Sequence, residues 1–190
     1  MPNELYTISR TRPGTLSTMA HPPGGAFLAQ ELTALAAVGV TVLVSLLSEG
    51  EAAKLGLSDE SGAARAAGIT FYHLPTPDRH VPDQASSLEL ARKLSVHLDA
   101  GDSIAIHCRY GIGRSSTLAA TVLVLQDIQP QQAWDLISAA RGRRVPDTAA
   151  QRDAITRIQR TPGGRYVLAK PDGPSRTGLL GRLAAWWRRA

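Results

Sequence analysis

The chain has 190 residues, 43% of them hydrophobic and 19% charged, enough for one globular domain with a buried core and unlike a disordered segment. Its net charge of +5 is uneven: seven of the 21 basic residues and one of the 16 acids lie between residues 160 and 190, which gives +6 there and −1 elsewhere, so the basic balance belongs to the tail and gives no support to a specific nucleic-acid-binding domain. Cys108 is the only cysteine, which excludes an internal disulfide, argues against a thiolate metal cluster and suits a reducing, cytoplasmic setting; no signal peptide or membrane-length apolar run of about 20 residues is present.

Apolar runs and breakers predict alternating strands and helices. Early strands are expected at Tyr6 to Ile8 and near Leu16, then a helix from Phe27 to Val38 stopped by Gly39. Val40 to Leu47 is β-branched and almost wholly apolar, as a strand buried on both faces should be. Glu51 to Ala67 reads as short helices interrupted by Gly56 and Gly62, and Ile69 to Leu74 as a second buried strand. Three prolines make Pro75 to Pro82 a loop. Asp83 to Ala100 reads as a helix capped by Asp83, and Ser103 to His107 as a third core strand. Helices follow at Gly113 to Gln126, Gln131 to Ala140 and Thr148 to Gln159, then an irregular linker from Pro162 to Pro174. The order implies an α/β fold with a central, mostly parallel sheet of four to five strands flanked by helices, whose sites form at the carboxyl ends of the strands.

One such end carries chemistry. His107-Cys108-Arg109-Tyr110-Gly111-Ile112-Gly113-Arg114-Ser115 joins a predicted strand to a predicted helix. Gly111 and Gly113 permit a tight turn whose N–H groups face inward as an anion nest, and the helix directs its positive end at the same point. Arg114 can grip two oxygens with its planar fork. The site suits a tetrahedral dianion, and its field favours a thiolate at Cys108. That thiolate could attack phosphorus and expel an alkoxide, with Ser115 donating a hydrogen bond to the sulfur. The competing reading, a structural cysteine in a glycine-rich turn, leaves Arg114, both glycines and Ser115 unexplained together. The leaving oxygen needs a proton, and Asp78, on the loop after the strand at Ile69 to Leu74, is the candidate acid. A turn aspartate is the plain alternative, and Asp83 is the rival carboxylate, better suited to capping.

The segment resembles the HCxxGxxR[ST] signature of the protein tyrosine phosphatase superfamily, and the chain length is similar to that of its dual-specificity branch; the resemblance runs from about Val40 to Gln159. It implies the phosphotyrosine protein phosphatase II-like fold and cysteine-dependent phosphomonoester hydrolysis without cofactor or metal. By it Cys108 is the nucleophile, Arg114 the phosphate clamp, Ser115 the hydroxyl that assists thiolate departure, and His107 the support of the loop. The cradle of Arg109, Tyr110, Gly111, Ile112, Gly113 and Arg114 holds the phosphoryl group. Asp78, thirty residues before Cys108 in an Asp-x3-Pro pattern, matches the family's general acid. Pro146 to Gln151 resembles the downstream segment, where Gln151 would position water; a helix surface is the alternative. The absence of lysine from the loop disfavours phosphoinositides.

These expectations describe a catalytic domain at 1–160 and a basic linker and tail at 161–190. The substrate is a phosphorylated protein or a small phosphomonoester. His21, His73, His80 and His97 form no metal-ligand spacing; Arg79 and His80 read as solvated loop, and Arg141, Arg143 and Arg144 as helix-end charge. The tail from Gly178 to Ala190 mixes Trp186 and Trp187 with arginines and is expected to dock on the body, with weak membrane or partner contact as the sharper alternative. A catalytically weak phosphate-binding module, and a sulfur-transfer protein of the rhodanese kind, are the rival functions.

Overall fold

The computed structural model describes residues 3–169. Tyr6–Thr7 (β1), Thr15–Met19 (β2), Val42–Ser45 (β3), Thr70–His73 (β4) and Ser103–His107 (β5) form a five-stranded sheet in the order β1-β2-β5-β3-β4. Only the β1–β2 pair is antiparallel; β2, β5, β3 and β4 run in parallel register. The central strands alternate side chains between two cores. Val42, Val44, Ile104 and Ile106 face the core built with α4 (Gln84–Asp99), α5 (Arg114–Leu125) and α6 (Pro130–Arg141). Leu43 and Ala105 face the smaller core built with α1 (Leu28–Ala37) and α3 (Glu60–Ala66). α5 is buried from Arg114 to Val124, which fits its apolar sequence and fixes its first turn rigidly beneath the sheet edge.

Several elements differ from the sequence expectations. Gly56 separates two helices, but Gly62 sits inside α3, where a Cβ would lie 2.3 Å from Asp59 Oδ1; the glycine leaves room for that carboxylate. β4 is the sheet's edge, with Thr70 and His73 exposed, because apolar composition alone does not report whether a strand has one neighbour or two. The helix expected over Thr148 to Gln159 is shorter: α7 covers Ala149–Ala154, a 3₁₀ turn covers Ile155–Arg157, and Ile158–Arg160 (β6) pairs antiparallel with Tyr166–Leu168 (β7). β-branched Ile155 is fully buried there, and β6 leaves the helical path to form a hairpin. The linker expected from Pro162 therefore holds a strand, tied to the body by Arg92 Nη2 donating to Tyr166 O at 2.7 Å. The Trp- and Arg-rich tail lies outside the described residues. Among the described residues no helix is long and apolar enough to cross a membrane.

Candidate active site

β5 delivers the chain to the carboxyl edge of the sheet, and residues 108–113 turn back to start α5 at Arg114. Gly111 takes φ +69°, and a Cβ there would lie 2.5 Å from the Met19 carbonyl, so no other residue fits this close approach. At Gly113 a Cβ would meet Asp147 Oδ2 at 2.5 Å and the Gln151 amide at 2.9 Å; the missing side chain is what lets those two residues reach the loop. On the outer side, Arg141 stacks over the Tyr6 ring at 3.6 Å and donates from Nη2 to Tyr110 O at 3.0 Å, so it braces the loop rather than merely ending α6.

Cys108 is 3% exposed and lines a small cavity together with Asp78, Gly113, Arg114, Asp147 and Gln151. Its Sγ is 3.4 Å from Ser115 Oγ. Arg79, Arg109 and Tyr110 form the rim, all exposed. Within the loop, Gly111 is packed on the Met19–Ala20 backbone, and Ile112 packs on the larger core.

Arg114 is almost wholly buried, at 2% exposure, and its donors are nearly all engaged. Nη1 donates to Glu51 Oε2 and to Thr76 O, both at 2.7 Å; Nη2 donates to Glu51 Oε1 at 2.9 Å and Asp78 Oδ1 at 3.0 Å. Burial alone would lower its pKa, but the paired Glu51 and the charges of Cys108 and Asp78 raise it. Glu51 is the partner of Arg114 that sequence reading did not single out. It lies on α2 (Glu49–Lys54) as the third residue of a capping box with Ser48, and it also forms the two-point pair with Arg114. Burial would push its carboxyl up, but the Arg114 and Ser48 hydrogen bonds outweigh that and hold it at about 2, against 4.5 for an ordinary glutamate. A carboxyl depressed on folding stabilises the fold above its unfolded pKa. Glu51→Gln is therefore expected to cost about 3 kcal/mol at neutral pH, a difference that shrinks below pH about 4.5 and vanishes near 2, as denaturation across that range would show.

The two rival aspartates sit in different places. Asp83 Oδ2 accepts from Ser86 N at 2.8 Å and caps α4. Asp78 is half-exposed, lines the cavity and touches Arg114. Its loop is held by His80, whose Nδ1 donates to Asp78 O at 2.8 Å, and by Gln151 Nε2 donating to His80 O at 3.0 Å. Arg79 sits at φ +61°, a strain of about 1 kcal/mol for a residue with a side chain. Gln151 is fully buried against this loop, not on a helix surface. His107 is also fully buried; its Nε2 is 2.9 Å from Glu60 Oε1, a second partner that sequence reading missed. His73, His97 and His21 hold separate structural bonds, to Leu47 O, to Asp102 with Tyr72, and to Pro22 O.

A mostly parallel sheet that feeds a glycine-turned loop into a buried helix opening on a buried arginine is the arrangement of the dual-specificity phosphatase class. Residues 17–127, more than half of the chain, match the family described as "Polymorphic toxin system, DSP-PTPase phosphatase", and the chain belongs to that family. It is 32% identical over 118 residues to cyclin-dependent kinase inhibitor 3 of Mus musculus, a match covering 62% of this chain and 56% of that protein; the chain thus spans about half the length of this curated relative. Among solved structures, its fold is similar to kinase-associated phosphatase with its catalytic-site cysteine replaced by serine (TM-score 0.74, 24% identity, 82% of this chain and 93% of that one). It is also similar to Tk-PTP in the active form (TM-score 0.62, 22% identity, 74% and 88%).

Proposed function

We propose that the protein hydrolyses phosphomonoesters through a phosphocysteine on Cys108, in two steps and without a metal. The observation that carries this reading is that Cys108, Asp78 and the buried Arg114 line one small cavity, with the Cys108 sulfur 3.4 Å from Ser115 Oγ. The phosphoryl group sits on the N–H groups of residues 109–114 and on Arg114, in a field that needs no rearrangement as charge develops. Cys108 thiolate attacks phosphorus, the P–O bond breaks, and Asp78 gives its proton to the leaving oxygen. Water then attacks the phosphocysteine with Asp78 as base, Gln151 positions that water, and Ser115 donates to the departing sulfur.

The Arg114–Asp78 contact supplies an order of events. An incoming phosphate dianion replaces Asp78 on Arg114, which frees the carboxyl to face the leaving group. Asp78→Asn is thus expected to slow aryl esters with poor leaving groups by about 10²-fold and good ones far less; equal slowing of both would remove Asp78 from the role. A phosphorylated protein is the substrate class favoured by the likeness to cyclin-dependent kinase inhibitor 3, and the cytoplasm is the proposed compartment. Mixing with para-nitrophenyl phosphate, quenching and mapping the phosphoryl group tests the mechanism. Label on Cys108 supports it; steady hydrolysis with no covalent phosphoryl group on that sulfur overturns it.

A further inference from the structure

The cavity at Cys108 holds a carboxylate that the proposed reaction does not use. Asp147 lines it together with Cys108, Asp78 and Gln151. None of the ion pairs among the described residues includes Asp147. Glu51 and Asp78 pair with Arg114, and Asp147 is left beside the place where the proposed reaction puts a phosphate dianion. Helix-dipole charge is the plain explanation, since Asp147 precedes Thr148, the cap of α7. It accounts for an acid at this position but not for where the carboxylate goes. A Cβ on Gly113 would lie 2.5 Å from Asp147 Oδ2, so the carboxylate sits against the last residue of the phosphate loop.

The turn that carries Asp147 is fixed on both sides. Val145 is fully buried; its N–H donates to Ser138 Oγ at 3.3 Å, and its carbonyl accepts from Arg152 Nη2 at 2.8 Å. Thr148 Oγ1 accepts from Gln151 N at 3.2 Å and closes the first turn of α7. Gln151 Nε2 donates to His80 O at 3.0 Å, which sets the orientation of the amide. Its Oε1 is buried and has no partner among the described residues. The point above Gly113 that lies 2.5 Å from Asp147 Oδ2 lies 2.9 Å from Gln151 Oε1. Two acceptors that close to one point call for a shared donor, and a single water with O–H···O bonds of about 2.8 Å is able to donate to both.

We propose that Asp147 is a second proton acceptor for the hydrolysis step: with Gln151 it holds the water that attacks the phosphocysteine, and it shares the base role with Asp78. This role rests on the phosphocysteine route. A water that gives its hydrogens to Oδ2 and Oε1 keeps its lone pairs for phosphorus. The O–P bond forms as the P–S bond breaks, the electron pair leaves on sulfur as thiolate, and one water proton passes to the Asp147 carboxylate. An amide in its place would hold the water but would not take the proton.

Asp147→Asn is the test, because it keeps the volume and removes the proton acceptor. With para-nitrophenyl phosphate, kcat is expected to fall about 10- to 100-fold. KM falls with it, so kcat/KM, which reports the first step, stays within about threefold. Rapid quenching should find phosphocysteine accumulated on Cys108, decaying more slowly by the same factor as kcat. Asp78→Asn contrasts with this: kcat/KM falls for poor leaving groups, while its phosphocysteine still decays through Asp147. The double variant should lose that decay by about a further tenfold. A helix-dipole role alone would lower the melting temperature of Asp147→Asn and leave the decay rate unchanged. Phosphocysteine that decays equally fast with and without Asp147 overturns the proposal, and so does a kcat/KM that falls as far as kcat, which would place Asp147 in the first step. Continued hydrolysis with no label on Cys108 in either the parent or Asp147→Asn sinks the phosphocysteine route itself, an outcome distinct from labelled Cys108 whose decay ignores Asp147.

Discussion

Cys108→Ser is expected to cut hydrolysis of para-nitrophenyl phosphate by about 10⁴-fold or more while phosphate binding persists. The two outcomes separate because the loop divides its labour. In the proposed mechanism binding rests on the backbone of residues 109–113 and on Arg114, none of which needs the sulfur. Reaction rests on an ionised nucleophile, and a serine hydroxyl stays protonated where a thiol can ionise. Cys108 is buried beside Ser115, and serine is smaller than cysteine, so the fold accepts the change. Calorimetry with phosphate, run beside the rate assay, checks both halves. A variant that keeps turnover within tenfold of the parent would show that the sulfur is not the nucleophile. A parent chain that binds phosphate without hydrolysing any ester would instead be the binding module considered as the rival.

Arg114→Lys is expected to lower kcat/KM about 10²- to 10³-fold, the scale of losing one preorganised donor to a developing oxyanion. It is also expected to lower stability by about 3 kcal/mol, because Glu51 is left in a nearly closed site without its two-point partner. An ammonium carries the same charge but not the fork that spans both Glu51 oxygens and, in the proposed mechanism, also grips the phosphoryl group. Adding Glu51→Gln to Arg114→Lys separates the effects: stability should recover in part, activity should not. Denaturant melts and steady-state kinetics on the four proteins of that cycle give the answer. Full recovery of activity in the double variant would mean that Arg114 acts only as a structural ion-pair partner.

The parts of the site that were legible in the sequence are the contiguous ones. Cys108 to Ser115 declare themselves because the strand, the turn glycines, the guanidinium and the helix start follow one another in the chain. Asp78 was legible because a strand end and a proline-rich loop place it on the same sheet edge. Glu51 was not, since an acid in the first turn of a helix after Ser48 already has a sufficient reason to be there, and its partner Arg114 lies 63 residues away. Glu60 was hidden in the same way: at the start of α3 it reads as dipole-favoured surface charge, and only the packing of that helix reveals its burial against His107. Gln151 was weighed on resemblance alone, because periodicity cannot tell which face of a one-and-a-half-turn helix is covered. β4 and the hairpin of β6 and β7 show the limit of composition: apolar, β-branched runs report strand preference but neither the number of neighbours nor where a helix gives way.

The space above Gly113 makes three distant positions a single heritable unit. Asp147 and Gln151 occupy the volume that an alanine methyl would need, so a lineage that acquires a side chain at 113 must first shrink or displace those two. Substitutions at 113, 147 and 151 should therefore appear together or not at all when homologous chains diverge, and a library randomised at position 113 alone should return glycine.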